Sequence, residues 1–378
     1  MGKPPVIILS GVRWDFLWQR HHALATRFAR AGYPTVFVET TGLANPRPGR
    51  ATLRKAASRV RRAGRNETFR EKGLAVYAPL VAPPTHGLFR QLNRRLLVPR
   101  VVRDLREIAG PEPVVVAYPP TRTTLDLISG LEPRLVLYDC SDDYESFPGV
   151  PKDIAATERE LLQRADLVSC TSTRLLEKVR AFRPDAFLSG PAVDYERFAL
   201  LQEARPGRRV RTVCFFGHAS RERIDFSVLR AVAKAGFEMR LVGELGREDR
   251  NFPGTSGIDY RGEVPHAELP SVLRGVDAFL LPYRVNQLTR GIAPAKTYEC
   301  LATGKPVVAA PLPAMEELAG YVYLAEEPAD YVETLRSLER LETEEKVRAR
   351  IELARENSWD ARFEEIEEAL WEAQRDAP

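Results

Sequence analysis

"PAKTYECLATGKPVVAAP", residues 294–311, reads as a short helix that stops at a glycine and feeds a buried strand. Pro294 suits a first helical position, where its missing N–H would have no partner and its fixed φ is already helical. Gly304, just past the last turn, suits a left-handed cap. "PVVAAP" is then an apolar run of strand length, as expected where both faces of a parallel sheet are covered. Lys296 is out of place in this scheme. The first turn of a helix carries partial positive charge and unpaired N–H groups, and favours Asp or Glu. A cation there makes the end doubly attractive to an anion such as phosphate; the plain alternative is a solvated surface lysine. Lys296 and Glu299 lie three apart and share a face. They follow the strand "DAFLLPY" (277–283) on its C-terminal side, where parallel sheets bind ligands. A cation suits a diphosphate, and a carboxylate one turn on suits two vicinal ribose hydroxyls.

The surrounding chain repeats this strand-and-helix alternation, the signature of parallel sheets with crossover helices. "VIILS" leads into "FLWQRHHALATRFARAG", an amphipathic helix expected to end at Gly32, and "TVFVE" follows as a second strand. "LAVYAPL", "VVVAY", "RLVLYD", "LVSCTS" and "AFLS" continue the first unit. A polar, basic stretch, "QEARPGRR", reads as a linker. The pattern then restarts with "VRTVCFFG", "EMRLVGE", "DAFLLPY", "PVVAAP" and "YVYLA". The expected architecture is α/β, two Rossmann-like doubly wound domains facing a central cleft. Residues 1–205 are expected to form the first domain and 206–357 the second. Residues 358–378 form a helix packing back on the first. Two domains are also the default for 378 residues.

Composition is that of an ordinary globular protein, with 44% hydrophobic and 29% charged residues. No apolar run approaches the ~18 residues of a membrane span, and "MGKPPVIILSG" reads as a first strand rather than a signal peptide. Cys140, Cys170, Cys214 and Cys300 lack metal-ligand spacing and read as reduced, buried thiols of a cytoplasmic protein. Charge is uneven: between Arg47 and Arg106 there are 16 Lys and Arg against 3 Asp and Glu. Segments 47–65 and 89–106 are basic and amphipathic, which favours an anionic membrane surface, peripheral at the inner face of the cell membrane. The plain alternative is a solvated basic face. No nucleic-acid-binding motif accompanies them, so no nucleic-acid partner is expected.

Other chemistries lack their motifs. "SGVRWDF" has one glycine where a dinucleotide fingerprint needs G-x-G-x-x-G, and "TGKP" is not a P-loop. There is no G-x-S-x-G elbow, no H-E-x-x-H and no D-x-D pair, so no metal is expected and no cofactor is called for.

The stretch from "RGEVPHAELPSVLRG" through "PAKTYECLATGKPVVAAPLPAMEEL" resembles the donor-binding half of "group 1" glycosyltransferases with the GT-B fold. Their hallmark, a Glu opening a short helix before A-x-G-x-P-V-V, is matched by Glu299, Ala302, Gly304 and Pro306 to Val308. The P-x-K-x-Y-E-x-L-A-x-G form is similar to transferases of bacterial cell-surface polymers, the teichuronic acid and xanthan types. "LYDCSDDYESF", "ADLVSCTSTRLLEKV" and "VDYERF" agree in the first half. The resemblance implies transfer of a sugar from a nucleotide-diphosphate donor, UDP-sugar before GDP-sugar, to a lipid-linked or polysaccharide acceptor. The nucleotide sugar is a substrate, and UDP the expected product. Glu299 would bind the ribose and Lys296 the diphosphate; Gly217 would lie against the nucleotide. Arg221 or Arg223 would be a second diphosphate cation, Arg221 the better placed. Thr289, Tyr283 and Tyr298 would line the pocket. Many members carry E-x7-E, but Gly291 stands eight residues before Glu299, so the first glutamate is missing. Its absence leans the stereochemistry toward inversion.

Transfer to a hydroxyl needs a base. "YDCSDDYESF" offers Asp139, Asp142 and Asp143 at a strand's C-terminal edge, where clustered carboxylates raise one another's pKa. Asp143 ranks first and Asp142 second. The first loop offers Asp15, His21 and His22, with His21 the candidate. Two other readings of the same fold remain, a nucleotide-sugar epimerase and a non-catalytic nucleotide-sugar-binding scaffold.

Overall fold

The structure, a computed structural model, describes residues 2–15, 18–39, 66–68, 73–82, 87–147, 149–203, 206–252, 254, 257–290, 292, 294 and 296–376. The basic segment 47–65 and Gly291 lie outside these residues. The chain forms two α/β units, residues 1–190 with 362–378, and residues 191–361.

The first unit is built on strands β1 (Val6–Leu9), β2 (Thr35–Val38), β3 (Asn66–Thr68), β4 (Leu74–Tyr77), β5 (Val114–Ala117), β6 (Leu135–Cys140), β7 (Leu167–Cys170) and β8 (Phe187–Leu188). Their order is β3-β4-β2-β1-β5-β6-β7-β8. All neighbours are parallel except β3 and β4. Strand alternation explains why "VIIL" has no polar member: Val6 and Ile8 enter one core, Ile7 and Leu9 the other. The helix Val98–Ala109 sends Val98, Val101, Val102 and Leu105 into the second of these cores. The C-terminal helix Trp359–Asp376 supplies Phe363, Ile366 and Leu370 to the first. Burying each such side chain is worth roughly 1.5–3 kcal/mol.

The second unit contains β9 (Thr212–Phe216), β10 (Glu238–Val242), β11 (Asp259–Tyr260), β12 (Ala278–Leu281), β13 (Val307–Ala309) and β14 (Tyr323–Leu324). Their order is β11-β10-β9-β12-β13-β14, parallel throughout. The boundary corrects the expectation drawn from composition. The second unit begins at Pro191 rather than 206, because Val193, Phe198 and Leu201 are buried in its core. The other crossing falls after Ala361 rather than 357. Polarity marked a surface stretch there, not a domain edge.

In both sheets the order reverses once, between β1 and β5 and between β9 and β12. Loops leaving the C-terminal ends of those strands diverge to opposite sides and open a crevice.

Candidate functional site

The helix Lys296–Ala302 leaves the second unit's reversal point, with Thr297 N bonded to Pro294 O at 2.9 Å. Its other end is fixed by Gly304, whose φ of +71° few residues but glycine adopt. Gly304 N donates to Leu301 O, and the buried Arg350 Nε donates to Gly304 O at 3.0 Å. Arg350 is itself paired with Glu342. The turn that presents Lys296 and Glu299 is thus anchored from behind.

Lys296 Nζ lies 4.8 Å from the centre of the Phe215 ring and 5.9 Å from that of Tyr283. Among the described residues no carboxylate is paired with it. Gly217, at the end of β9 with φ +111°, makes this placement possible: a Cβ there would collide with Lys296 Nζ. Glu299 is about one-sixth exposed, at 17%, and its Oε1 lies 2.9 Å from His266 Nε2. A cation with no carboxylate partner among the described residues and a held carboxylate three residues on therefore follow the Gly217 turn where β9 and β12 part.

The remaining candidates divide. Arg221 is engaged: its Nε donates to the buried Asp249 at 2.5 Å, and its backbone N to the same carboxylate at 3.1 Å. Arg223 is exposed and, among the described residues, has no ion-pair partner. Its backbone is stitched to the loop after β12 through Arg284 N at 2.8 Å. Thr289 does not offer its hydroxyl to a pocket. It is fully buried, and Oγ1 closes its own loop on the Arg284 carbonyl. Tyr283 is buried beside Lys296, and Tyr298 packs half-buried on the core.

The first unit's strand order reverses at β1 and β5. His21 is buried there, its Nδ1 2.8 Å from Ser10 Oγ and its ring stacked on Tyr118 at 3.5 Å between centres. Burial pushes its pKa well below the ordinary value, with His22 and Arg20 adding, so the ring is neutral at pH 7. His22 is structural: Nε2 donates to Arg13 O at 3.0 Å while Nδ1 accepts from Gln19 N. Asp15 pairs with Arg13.

Asp139 is not part of an open carboxylate cluster. It is fully buried and bound by Arg20 Nε at 2.6 Å and Ser169 Oγ at 2.8 Å. Arg20 also donates to Ser189 Oγ at 2.8 Å and Gly190 O at 3.0 Å. Asp143 is paired with Lys178 at 3.0 Å and faces Arg174 at 3.9 Å. Asp142 differs. Although the residue is exposed, protein crowding around its carboxyl lifts its pKa to about 6, opposed by a hydrogen bond from Ser141 and aided by Asp139. The spacing of the carboxylates along the strand end was legible; the arginine that takes one of them, 119 residues away in sequence, was not.

Residues 221–368 match the family model "Glycosyl transferase-like". The chain is 26% identical over 262 residues to a Bacillus subtilis (strain 168) protein assigned to teichuronic acid biosynthesis as the glycosyltransferase TuaH. That match covers 61% of this chain and 65% of the relative, so it spans under two-thirds of the relative's length. Among solved structures, Anabaena Alr3699/HepE in complex with UDP-glucose superposes with a TM-score of 0.61 at 14% identity, covering 98% of this chain and 99% of that one. An E. coli trehalose-6-phosphate structure bound with UDP-2-fluoro glucose gives 0.60 at 9% identity, covering 99% of this chain and all of the other. At such identities these two likenesses establish the fold.

Proposed function

We propose, from the premise that this chain is a GT-B glycosyltransferase of the group 1 type, that it moves a sugar from a UDP-sugar to a hydroxyl of a lipid-linked or cell-surface polysaccharide acceptor. The observation that carries the reading is Lys296, a cation without a carboxylate partner among the described residues, held over Gly217 three residues before Glu299. Lys296 would take the diphosphate and Glu299 the ribose hydroxyls. Arg223, rather than the engaged Arg221, would supply the second cation as charge grows on the leaving phosphate. The UDP-glucose complex of Alr3699/HepE supports uridine, and TuaH supports an envelope polymer. With the lysine and arginine carrying the diphosphate charge, transfer is expected to be metal-independent and to persist in chelator.

In the first unit the chemistry of a base fits Asp142 best, since a carboxyl near pH 6 is mostly ionised at neutral pH and still accepts a proton. His21, neutral and fixed through Nδ1, is the second candidate.

Recruitment to anionic lipid follows from the segment 87–109. Leu88, Phe89, Leu92 and Leu96 are exposed along it beside the exposed Arg94 and Arg95. An apolar stripe flanked by arginines suits the interface of an anionic bilayer. Among the described residues no helix is long and apolar enough to cross a membrane, so the attachment proposed is peripheral, at the cytoplasmic face.

The deciding experiment is a binding panel of UDP, GDP and ADP against the native protein and Lys296→Ala. UDP at about 100 times its Kd should add roughly 2.7 kcal/mol of stability. Lys296→Ala should weaken UDP roughly 10- to 100-fold while uridine binding changes little. A folded protein that responds to no nucleotide would overturn the donor assignment.

A further inference from the structure

The Glu299 carboxylate is held from outside its own helix. His266 Nε2 lies 2.9 Å from Glu299 Oε1, and on the far side of the ring Arg197 Nη1 lies 2.8 Å from His266 Nδ1. Arg197 is paired in turn with Asp194 at 3.1 Å. Three segments far apart in the chain, the helix Tyr195–Ala199, the turn His266–Glu268 and the helix Lys296–Ala302, thus converge in one polar chain.

The direction of each bond follows from what the groups can do. A guanidinium has only donors, so Nδ1 facing Arg197 must accept. The ring proton is then on Nε2, which faces Glu299 and donates to it. The Phe198 ring lies 5.8 Å from the imidazole, centre to centre, and closes one side. Arg197 selects the tautomer, and the tautomer orients the carboxylate.

We propose that His266 is a positioning residue for nucleotide recognition: it occupies Oε1 of Glu299 and fixes the carboxylate so that Oε2 and the remaining lone pairs meet the ribose hydroxyls, with Arg197 holding the ring in the one tautomer that can do so. This rests on the reading of Glu299 as the ribose ligand. A carboxylate with free torsions must be ordered at the moment of binding, and a held one is ordered beforehand. The gain is therefore largest for nucleotides that carry both of the hydroxyls being read.

The test compares UDP with 2′-deoxy-UDP by calorimetry for the native protein, His266→Ala, His266→Gln, Arg197→Ala and Glu299→Ala. The native protein should prefer UDP, and Glu299→Ala should bring the ratio of the two affinities close to one. His266→Ala should lower UDP affinity about tenfold, the loss of one oriented charge-assisted bond, and lower that of 2′-deoxy-UDP by clearly less. Arg197→Ala should move the ratio the same way by less. His266→Gln, which keeps an acceptor and a donor, should restore part of it. A ratio unchanged by His266→Ala but abolished by Glu299→Ala would overturn the positioning role and leave the donor site standing. A ratio unchanged by Glu299→Ala would overturn the ribose reading and the inference with it. Ring 15N spectra of the native protein add a test that needs no variant to fold: His266 protonated on Nδ1 rather than Nε2 would sink the proposal.

Discussion

The two sheets reverse their strand order in the same way, yet the crevices at the two reversals hold charge differently. In the first unit Arg20 already has Asp139, Ser189 and Gly190, and Asp143 already has Lys178. In the second, Lys296 faces only rings and Gly217, and Arg223 faces no carboxylate among the described residues. Satisfied buried charges stabilise one arrangement, and breaking one leaves the other uncompensated. A cation that meets only ring faces gains little until an anion arrives. The same residue types thus act as framework in one unit and, on the proposed reading, as ligand-binding groups in the other, and the partners each one has tell them apart.

The sharpest way to break this contrast is to delete one cation from each crevice and measure unfolding without ligand. Arg20→Ala strands the buried Asp139 of the first unit and should cost about 3–5 kcal/mol. Lys296→Ala removes a charge that, among the described residues, has no carboxylate partner and meets the Phe215 and Tyr283 rings, and should cost no more than about 1 kcal/mol. Similar losses from both would show that the distinction between paired and waiting cations has no energetic content. Adding UDP should reverse the ranking for binding, since of the two only Lys296 is proposed to contact the nucleotide.

A smaller effect separates the two arginines of the loop after β9. Arg221→Ala leaves Asp249, a buried acceptor, short of a donor, and should lower stability by about 1–3 kcal/mol. Arg223→Ala should leave the unfolding transition where it is and weaken UDP about five- to tenfold. The opposite pattern, with Arg221→Ala weakening UDP in a fully stable protein, would return the diphosphate to Arg221.

Much of this was legible in the sequence because it depends on local pattern. Apolar runs such as Val114–Ala117 and Val307–Ala309 declare buried strands, and the end of the helix Lys296–Ala302 is written in Gly304. The very short strands β3 and β11 escape pattern reading because two or three residues carry no period. The domain edge escapes because Val193, Phe198 and Leu201 are scattered among polar neighbours, and only the core shows that they are anchors. Site residues fail for a related reason. Glu299 was visible in its motif, whereas its dependence on His266 and Arg197 spans 33 and 69 residues between successive partners. Likewise "DCSDD" shows that carboxylates cluster, but not that Arg20 takes Asp139 out of the cluster and leaves Asp142 as the member with a raised pKa.

That last difference gives the smallest effect, and it has a sign. The fold raises Asp142 from an ordinary 3.8 to about 6, so between these values the native protein keeps a proton that the unfolded chain has released. Stability falls with pH wherever the native state binds more protons. The contribution is therefore fully present below about pH 4 and lost as pH rises through about 6. Asp142→Asn carries no charge at any pH. It should match the native protein at pH 4 and be the more stable of the two at pH 7.5, by a margin that the residue's exposure to water keeps small. In transfer, the same variant should lose turnover while UDP binding is unchanged, because the role proposed for the lost group is on the acceptor hydroxyl and not on the nucleotide. An equal stability difference at pH 4 and pH 7.5 would mean that Asp142 titrates as it does in the unfolded chain, and the case for it as the base would pass to His21.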